Sequence, residues 1–406
     1  MSKVVVIGGG AAGMIAAYAA GCDGHQVTLL EKNEKLGKKI YITGKGRCNF
    51  TNASDMETVR NNVVSNPRFL YSAFNAFDNR DIVELLESAG CKSKVERGNR
   101  VFPVSDHASD VNKALTNLLV KANVEVCLNT EVKDLIVEEN ICKGVVLKNG
   151  KRIMADDVII ATGGISYPST GSTGDGYRFA KKYGHSVSEC RPALVAMKTK
   201  EKWVKQLSGL SLKNVSIKVN NSKKTLYSDF GDMLFTYDGV SGPVIISASS
   251  VCGRDLPLEL CVDLKPALSN EVLDKRILKD FSENQNKTIN NVIGKLLPIK
   301  LGLIILGIAG IDENTIIHDV TAVQRRSLLE TVKCLKLNLT ELKPFTEAIV
   351  TQGGVIVKQI DPKTMESKLV SNLFFAGEVM DVDGMTGGYN LQIAWSTGYL
   401  AGKSVR

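Results

Sequence analysis

A continuous β-branched run, Lys3–Ile7 (KVVVI), is followed at once by Gly8-Gly9-Gly10-Ala11-Ala12-Gly13. Such a run suits a strand buried on both faces. An Ala-rich stretch to Ala20 then reads as a helix, and His25–Leu30 as a second strand ending at Glu31. The order is that of a βαβ unit with a G-x-G-x-x-G turn between its first strand and its helix. Gly8 permits the tight turn, Gly10 lets a phosphate approach the backbone, and Gly13 lets the helix pack on the strand. The helix N-terminus faces the anion. Glu31 follows Gly13 by 18 residues, where a carboxylate accepts hydrogen bonds from ribose hydroxyls. A bare glycine turn would explain the glycines, but not strand, helix, second strand and terminal acid in that order. The segment is read as a dinucleotide site.

Composition narrows the rest. With 406 residues, 44% apolar and 23% charged, the chain can build a core, which excludes disordered, collagen-like and disulfide-scaffold classes. The net charge of +8 is spread along the chain without blocks of like charge, so no electrostatic stripe supports nucleic-acid binding. Nine scattered cysteines form no C-x-x-C pair and no metal-ligand spacing. They read as reduced thiols of a cytoplasmic protein, with no metal. The apolar stretch Leu301–Ile311 is too short for a bilayer, which needs ~20 residues. The apolar N-terminus mimics a signal peptide but lacks a cleavage site. No membrane association is expected.

Further strands read at Val124–Leu128, Gly144–Leu147, Asp157–Ile160, Gly353–Val357 and Leu373–Ala376, with a final helix through Leu391–Leu400. Between them the texture changes. Val215–Val219 and Leu258–Val262 alternate, Asn220-Asn221-Ser222 reads as a hairpin turn, and Ser269–Gln285 and Thr321–Leu335 read as amphipathic helices. The expected fold class is α/β: a Rossmann-like, mostly parallel sheet interrupted by a β-rich and helical insertion. The expected domains are a discontinuous nucleotide domain, 1–190 and 346–406, and an inserted substrate or lid region, 191–345. The insertion is read as β-rich over about 191–265 and 321–345, and as helical over about 266–320.

Three more segments bear on the cofactor. Leu36–Asn52 (LGKKIYITGKGRCNFTN) offers glycines with Lys38, Lys39, Arg47 and Asn49, a second set of donors that a simple nicotinamide domain does not need. Val158–Ile160 runs into Ala161-Thr162-Gly163-Gly164. In Asn372–Gln392 a buried strand ends at Gly377-Glu378, Asp383 follows, and Gly387-Gly388-Tyr389-Asn390 opens the last helix. Acids after a buried strand suit a ribityl chain, and a helix N-terminus suits the negative charge of a reduced flavin. Only one G-x-G-x-x-G is present, so NAD(P)H is expected, if at all, as a transient reductant.

VVVIGGGAAG, TGKGRCNFTN, ATGGISYPSTGSTGDGY, GDMLFTYDGVSGP and FAGEVMDVDGMTGGYNLQIAWSTG span nearly the whole chain. Together they resemble the two-dinucleotide-binding-domain flavoproteins. More closely, they resemble a bacterial family of FAD-binding proteins labelled aminoacetone-oxidase-like or 3-dehydro-bile-acid-reductase-like. The resemblance implies non-covalent FAD held by Gly8, Gly10, Ala11, Ala12, Gly13, Glu31, Lys32, Arg47, Cys48 and Asn49. It further implies contacts from Val132, Ala161, Thr162, Gly163, Gly377, Glu378, Asp383, Asn390, Leu391 and Gln392. One departure is Tyr237, where the family commonly has His. Cys48, without a nearby partner cysteine, reads as a packed free thiol before a redox group. Tyr167, in the loop Ile165–Gly176, is a candidate proton donor, although simple packing accounts for it better.

The expected function is an FAD-dependent oxidoreductase that reduces a carbonyl-conjugated C=C bond in a steroid- or bile-acid-like small molecule. The alternatives are an oxidase of a small amine such as aminoacetone, releasing peroxide, and a flavin-holding protein associated with nucleic acid. No nucleic-acid partner is expected under the first reading, and the sequence leaves the oligomeric state open.

Overall fold

The computed structural model describes all residues, 1–406. The chain divides into two compact units, one made of 1–193 and 344–406, the other of 194–343.

The first unit is built on a five-stranded parallel sheet. Its order is Leu373–Phe375, Asp157–Ile160, Lys3–Ile7, Gln26–Leu30, Glu125–Cys127. The central strands are buried on both faces, as their unbroken apolar runs require. The opening helix, Ala11–Cys22, and the final helix, Tyr389–Ser404, pack unusually close. A Cβ on Gly398 would stand 2.3 Å from the Ala12 carbonyl oxygen, and one on Gly402 would stand 2.2 Å from that of Ala16. An antiparallel meander, Val132–Glu138, Ile141–Leu147 and Arg152–Met154, accompanies the sheet. A small sheet pairs Thr51–Asn52, Arg100–Pro103 and Ser93–Glu96.

The strand expected at Gly353–Val357 is displaced: the strand is Val350–Gln352, paired antiparallel with Arg191–Ala193. Gly353 and Gly354 have φ of +98° and +155°, so extended pairing stops there.

The second unit is a closed six-stranded barrel. Around it run Met197–Thr199, Gly239–Ser241, Thr225–Phe235, Ser211–Asn220, Leu258–Asp263 and Leu335–Leu342, which returns to the first. Val215, Ile217 and Val219 alternate inward with Leu258, Leu260 and Val262. The turn after Asn220 is closed by the Asn221 carboxamide, whose oxygen accepts from the Lys223 and Lys224 amides. Helices Asn270–Ser282 and Ala322–Lys333 start at side-chain caps, Ser269 and Thr321.

One expectation is corrected here. Cys261 and Cys334 form a disulfide, S–S 2.14 Å and Cα–Cα 5.0 Å, while the other seven cysteines are free. The pair is 73 residues apart in sequence; Cys261 lies within the strand Leu258–Asp263 and Cys334 just before Leu335–Leu342, and the pairing of these two strands brings them together. No helix is long and apolar enough to cross a membrane.

Candidate active site

A cavity lies in the first unit, at the mouth of the Gly8–Gly13 loop. Gly8 has φ +104°, and a Cβ there would meet the Ala161 carbonyl oxygen at 2.6 Å. A Cβ on Gly13 would lie 1.8 Å from the Gly8 carbonyl oxygen, so this glycine sets helix-to-turn packing and does not line the cavity. Gly10 is different: it lines the cavity, and nothing lies within 4 Å of where its Cβ would be. It is also the N-cap of the opening helix, with no side-chain cap and no acid in the first turn. The first amides of that helix therefore keep their donors unspent beside an open cradle.

Glu31 closes one side of the cavity. It is 8% exposed. Its Oε2 accepts from the Gly9 amide at 2.7 Å, and its Oε1 accepts from the Asn33 amide and side chain at 2.8 and 2.6 Å. Oε1 thus uses both its lone pairs, while Oε2 still has acceptor capacity for a hydroxyl. Ala11, Ala12, Val132, Ala161, Thr162 and Gly163 also line the cavity. Thr162 Oγ1 is buried without a hydrogen-bond partner. Lys32 lines it too and is held by Thr173 Oγ1 at 2.6 Å and Asp175 Oδ2 at 2.7 Å. Burial pushes the Asp175 carboxyl up, but the Lys32 hydrogen bond and charge outweigh it and hold the group below its ordinary value.

Glu378, Asn390 and Leu391 complete the lining from the chain's last part. Asn390 bridges the loop before the final helix: its Oδ1 accepts from the Gly384 amide at 2.8 Å, and its Nδ2 donates to the Gly384 carbonyl at 2.7 Å.

Other sequence candidates lie outside the lining. Arg47 turns to acids, bonding Asp106 through Nε at 2.9 Å and Glu96 through a terminal nitrogen at 2.5 Å, with its guanidinium over the Phe102 ring. Cys48 is fully buried, and burial pushes its thiol up to about 12, so it is a packed thiol and no redox group. Asn49 buries its Oδ1 without a partner. Gly377 packs a helical turn on Ala12. Asp383 and Gln392 are fully buried, the latter bonded to Thr51, Ser396 and the Phe77 carbonyl. Tyr167 has φ +48° and its amide bonds the Phe345 carbonyl, so it shapes a turn.

Lys39 was visible in the sequence only as one of several loop cations. It lines the cavity and bonds Glu378 Oε2 at 2.7 Å and Ser166 Oγ at 2.5 Å. Ser166, within the loop Ile165–Gly176 but not singled out there, and Thr351, which carried no sequence signal, complete this cluster.

A dinucleotide fits these residues. Gly10 leaves the cradle open, the helix amides are free to bind a diphosphate, Glu31 suits a ribose, and Thr162 has a hydroxyl to spend.

The family described as HI0933-like protein Rossmann domain matches residues 2–404. A Clostridium scindens protein named 3-dehydro-bile acid delta(4,6)-reductase is 33% identical over 412 aligned residues, covering 100% of this chain and 99% of that protein. A Haemophilus influenzae protein named ribosomal RNA dihydrouridine synthase is 32% identical over 408, covering 100% and 98%. The solved 3-ketosteroid delta1-dehydrogenase of Sterolibacterium denitrificans shares the fold, with TM-score 0.54, 15% identity and coverage of 99% and 98%.

Proposed function

This chain belongs to the HI0933-like Rossmann family, and we propose that it is an FAD-dependent reductase of carbonyl-conjugated carbon–carbon double bonds. It is a flavoenzyme of the oxidoreductase class. The cofactor's identity, the bond reduced and the substrate are our reading.

The observation that carries the FAD assignment is the open cradle at Gly10 sharing one cavity with Glu31 and with Asn390 and Leu391. The first two suit a diphosphate and a ribose. The last two bring in a helix start far along the chain, as a longer cofactor requires. When bound, the reduced flavin supplies a hydride to the substrate. The chain's own part is to fix the dinucleotide through the helix amides and Glu31, and to wall the cavity with apolar residues such as Ile349, Val350 and Leu391.

Reduction of an enone is supported by what the two full-length relatives are named for. One name describes removing ring double bonds from a 3-dehydro bile acid, the other adding hydrogen to uridine. Both alkenes are conjugated to a carbonyl. We propose a steroid- or bile-acid-like small molecule as substrate and NAD(P)H as transient reductant. A uridine in RNA is the second reading, favoured by the near-equal similarity of the Haemophilus protein.

Anaerobic mixing of the FAD-loaded protein with NADH or NADPH should bleach the flavin, and a 3-keto steroid enone should restore its colour with loss of the enone absorbance. Recovery of colour only with a uridine-bearing RNA would select the second reading. Bleaching by aminoacetone with peroxide on readmitting oxygen would sink both.

A further inference from the structure

Three lysines line the cavity, and each has a carboxylate partner. Lys38 meets Glu34 on open ground, Glu34 with 60% of its side chain exposed, and Lys32 is held by Asp175 and Thr173. Lys39 is set in a closed cluster. Its Nζ donates to Ser166 Oγ at 2.5 Å and Glu378 Oε2 at 2.7 Å. The other carboxylate oxygen, Oε1, accepts from Ser166 Oγ at 2.8 Å and the Thr351 amide at 2.7 Å.

Ser166 and Thr351 are fully buried, and Thr351 Oγ1 accepts the Ile165 and Ser166 amides at 2.9 and 3.0 Å. Even the backbone makes room: a Cβ on Gly164 would stand 2.4 Å from Thr351 Oγ1 and 3.2 Å from Glu378 Oε1. Three distant segments thus hold the Lys39 ammonium, directly or through Glu378, and the strand bearing Thr351 also contributes Val350 to the cavity wall. An ammonium has three donors. Lys39 spends two, leaving one N–H on a side chain that faces the cavity.

We propose that Lys39 is a positioning cation that favours the reduced, negatively charged state of the cavity's cofactor. Glu378 is the anchor that holds Lys39, not a ligand of the ribityl chain. This rests on the FAD reading above. A flavin that takes up two electrons and one proton gains one negative charge, and a fixed ammonium favours that state over the neutral oxidised one. The helix N-terminus at Gly10 already provides for the diphosphate, so Lys39's free donor is assigned to the part of the cavity bounded by Val350 and Leu391.

The test compares wild type with Lys39→Met, Lys39→Arg and Glu378→Gln, each stripped and reloaded with FAD. The midpoint potential is read by dye equilibration during dithionite reduction, and Kd is measured for FAD and for ADP. In Lys39→Met the preference for reduced over oxidised flavin should fall about tenfold, which is about 30 mV for a two-electron couple. Lys39→Arg should restore it. Glu378→Gln should shift the potential upwards, because the cation loses its counter-charge, and ADP affinity should stay within about twofold throughout. An unmoved potential in Lys39→Met overturns the proposal, as does an equal loss of FAD and ADP affinity, which would put the ammonium on the diphosphate. If Lys39→Met does not fold, Glu378→Gln decides alone, and a potential that stays or falls overturns it. Wild-type protein that takes up no FAD would instead overturn the reading on which this rests.

Discussion

The loops Gly8–Gly13 and Thr43–Asn49 both offer glycines and polar donors within one unit of the molecule. In the first, the Gly8 and Gly9 amides bond the Leu30 carbonyl and Glu31, while the helix that starts at Gly10 has no side-chain cap for its first amides. In the second, Arg47 is taken by Glu96 and Asp106, the Cys48 thiol is sealed in the core, and Gly44 and Lys45 carry left-handed backbone. The first loop is built to leave charge unsatisfied, the second to satisfy it internally. A cationic, glycine-rich segment is a ligand site only if its partners lie outside the protein. Three substitutions probe that difference.

Gly13→Val should have the largest effect. Its Cβ would overlap the Gly8 carbonyl, 1.8 Å away, and backbone cannot give way as a side chain can. The expected cost is about 3 kcal/mol or more, with loss of flavin and of cooperative unfolding by circular dichroism. A folded, yellow Gly13→Val protein would show that the loop's close packing does not create the cradle.

Glu31→Ala comes next. It removes a charge-assisted acceptor worth roughly 1.5–3 kcal/mol, so FAD affinity should fall on the order of tenfold or more. The Gly9 and Asn33 amides lose their acceptor as well, which a thermal melt of the apoprotein should register. Flavin occupancy that survives prolonged dialysis would count against the assignment.

Arg47→Met should leave FAD affinity unchanged, the smallest effect and the sharpest contrast. Its consequence is a pH-dependent loss of stability. Arg47's hydrogen bonds hold the Glu96 carboxyl below its usual range, while Lys94 and then Arg47 do the same for Asp106. Groups depressed in the folded state stabilise it above their unfolded values near ~4 and lose that contribution as pH falls through the lowered ones. The Tm gap between wild type and Arg47→Met should therefore be full at neutral pH and close below about pH 4. Flavin loss in this variant would return Arg47 to the binding site.

The same contrast explains what the sequence makes legible. Lys3–Ile7, Asp157–Ile160 and Leu373–Phe375 announce themselves because buried parallel strands are largely continuous apolar runs. Gly8, Gly10 and Glu31 are legible because their geometry is set within one βαβ unit. Arg47 misleads because its acids, Glu96 and Asp106, lie 49 and 59 residues on. The Lys39 cluster is hidden for the same reason, its partners lying 127 and 339 residues away at Ser166 and Glu378. Barrel closure depends on strands as short as Met197–Thr199 and Gly239–Ser241, too brief for alternation to register.

The parallel sheet has a consequence for the order in which the chain can mature. Its strand at Asp157–Ile160 pairs on one side with Lys3–Ile7 and on the other with Leu373–Phe375. A ribosome adding ~5–20 residues each second needs roughly 10–40 s to travel from Ile160 to Leu373. Throughout that interval the nascent sheet carries an open edge of bare amides and carbonyls, the surface that invites pairing with another chain. The barrel unit, contiguous over 194–343, has no such wait and can close before the sheet does. The dinucleotide pocket, with its lining from Glu378 to Leu391, is thus among the last features to be finished during synthesis, and the unprotected edge marks where a chaperone would have most to do.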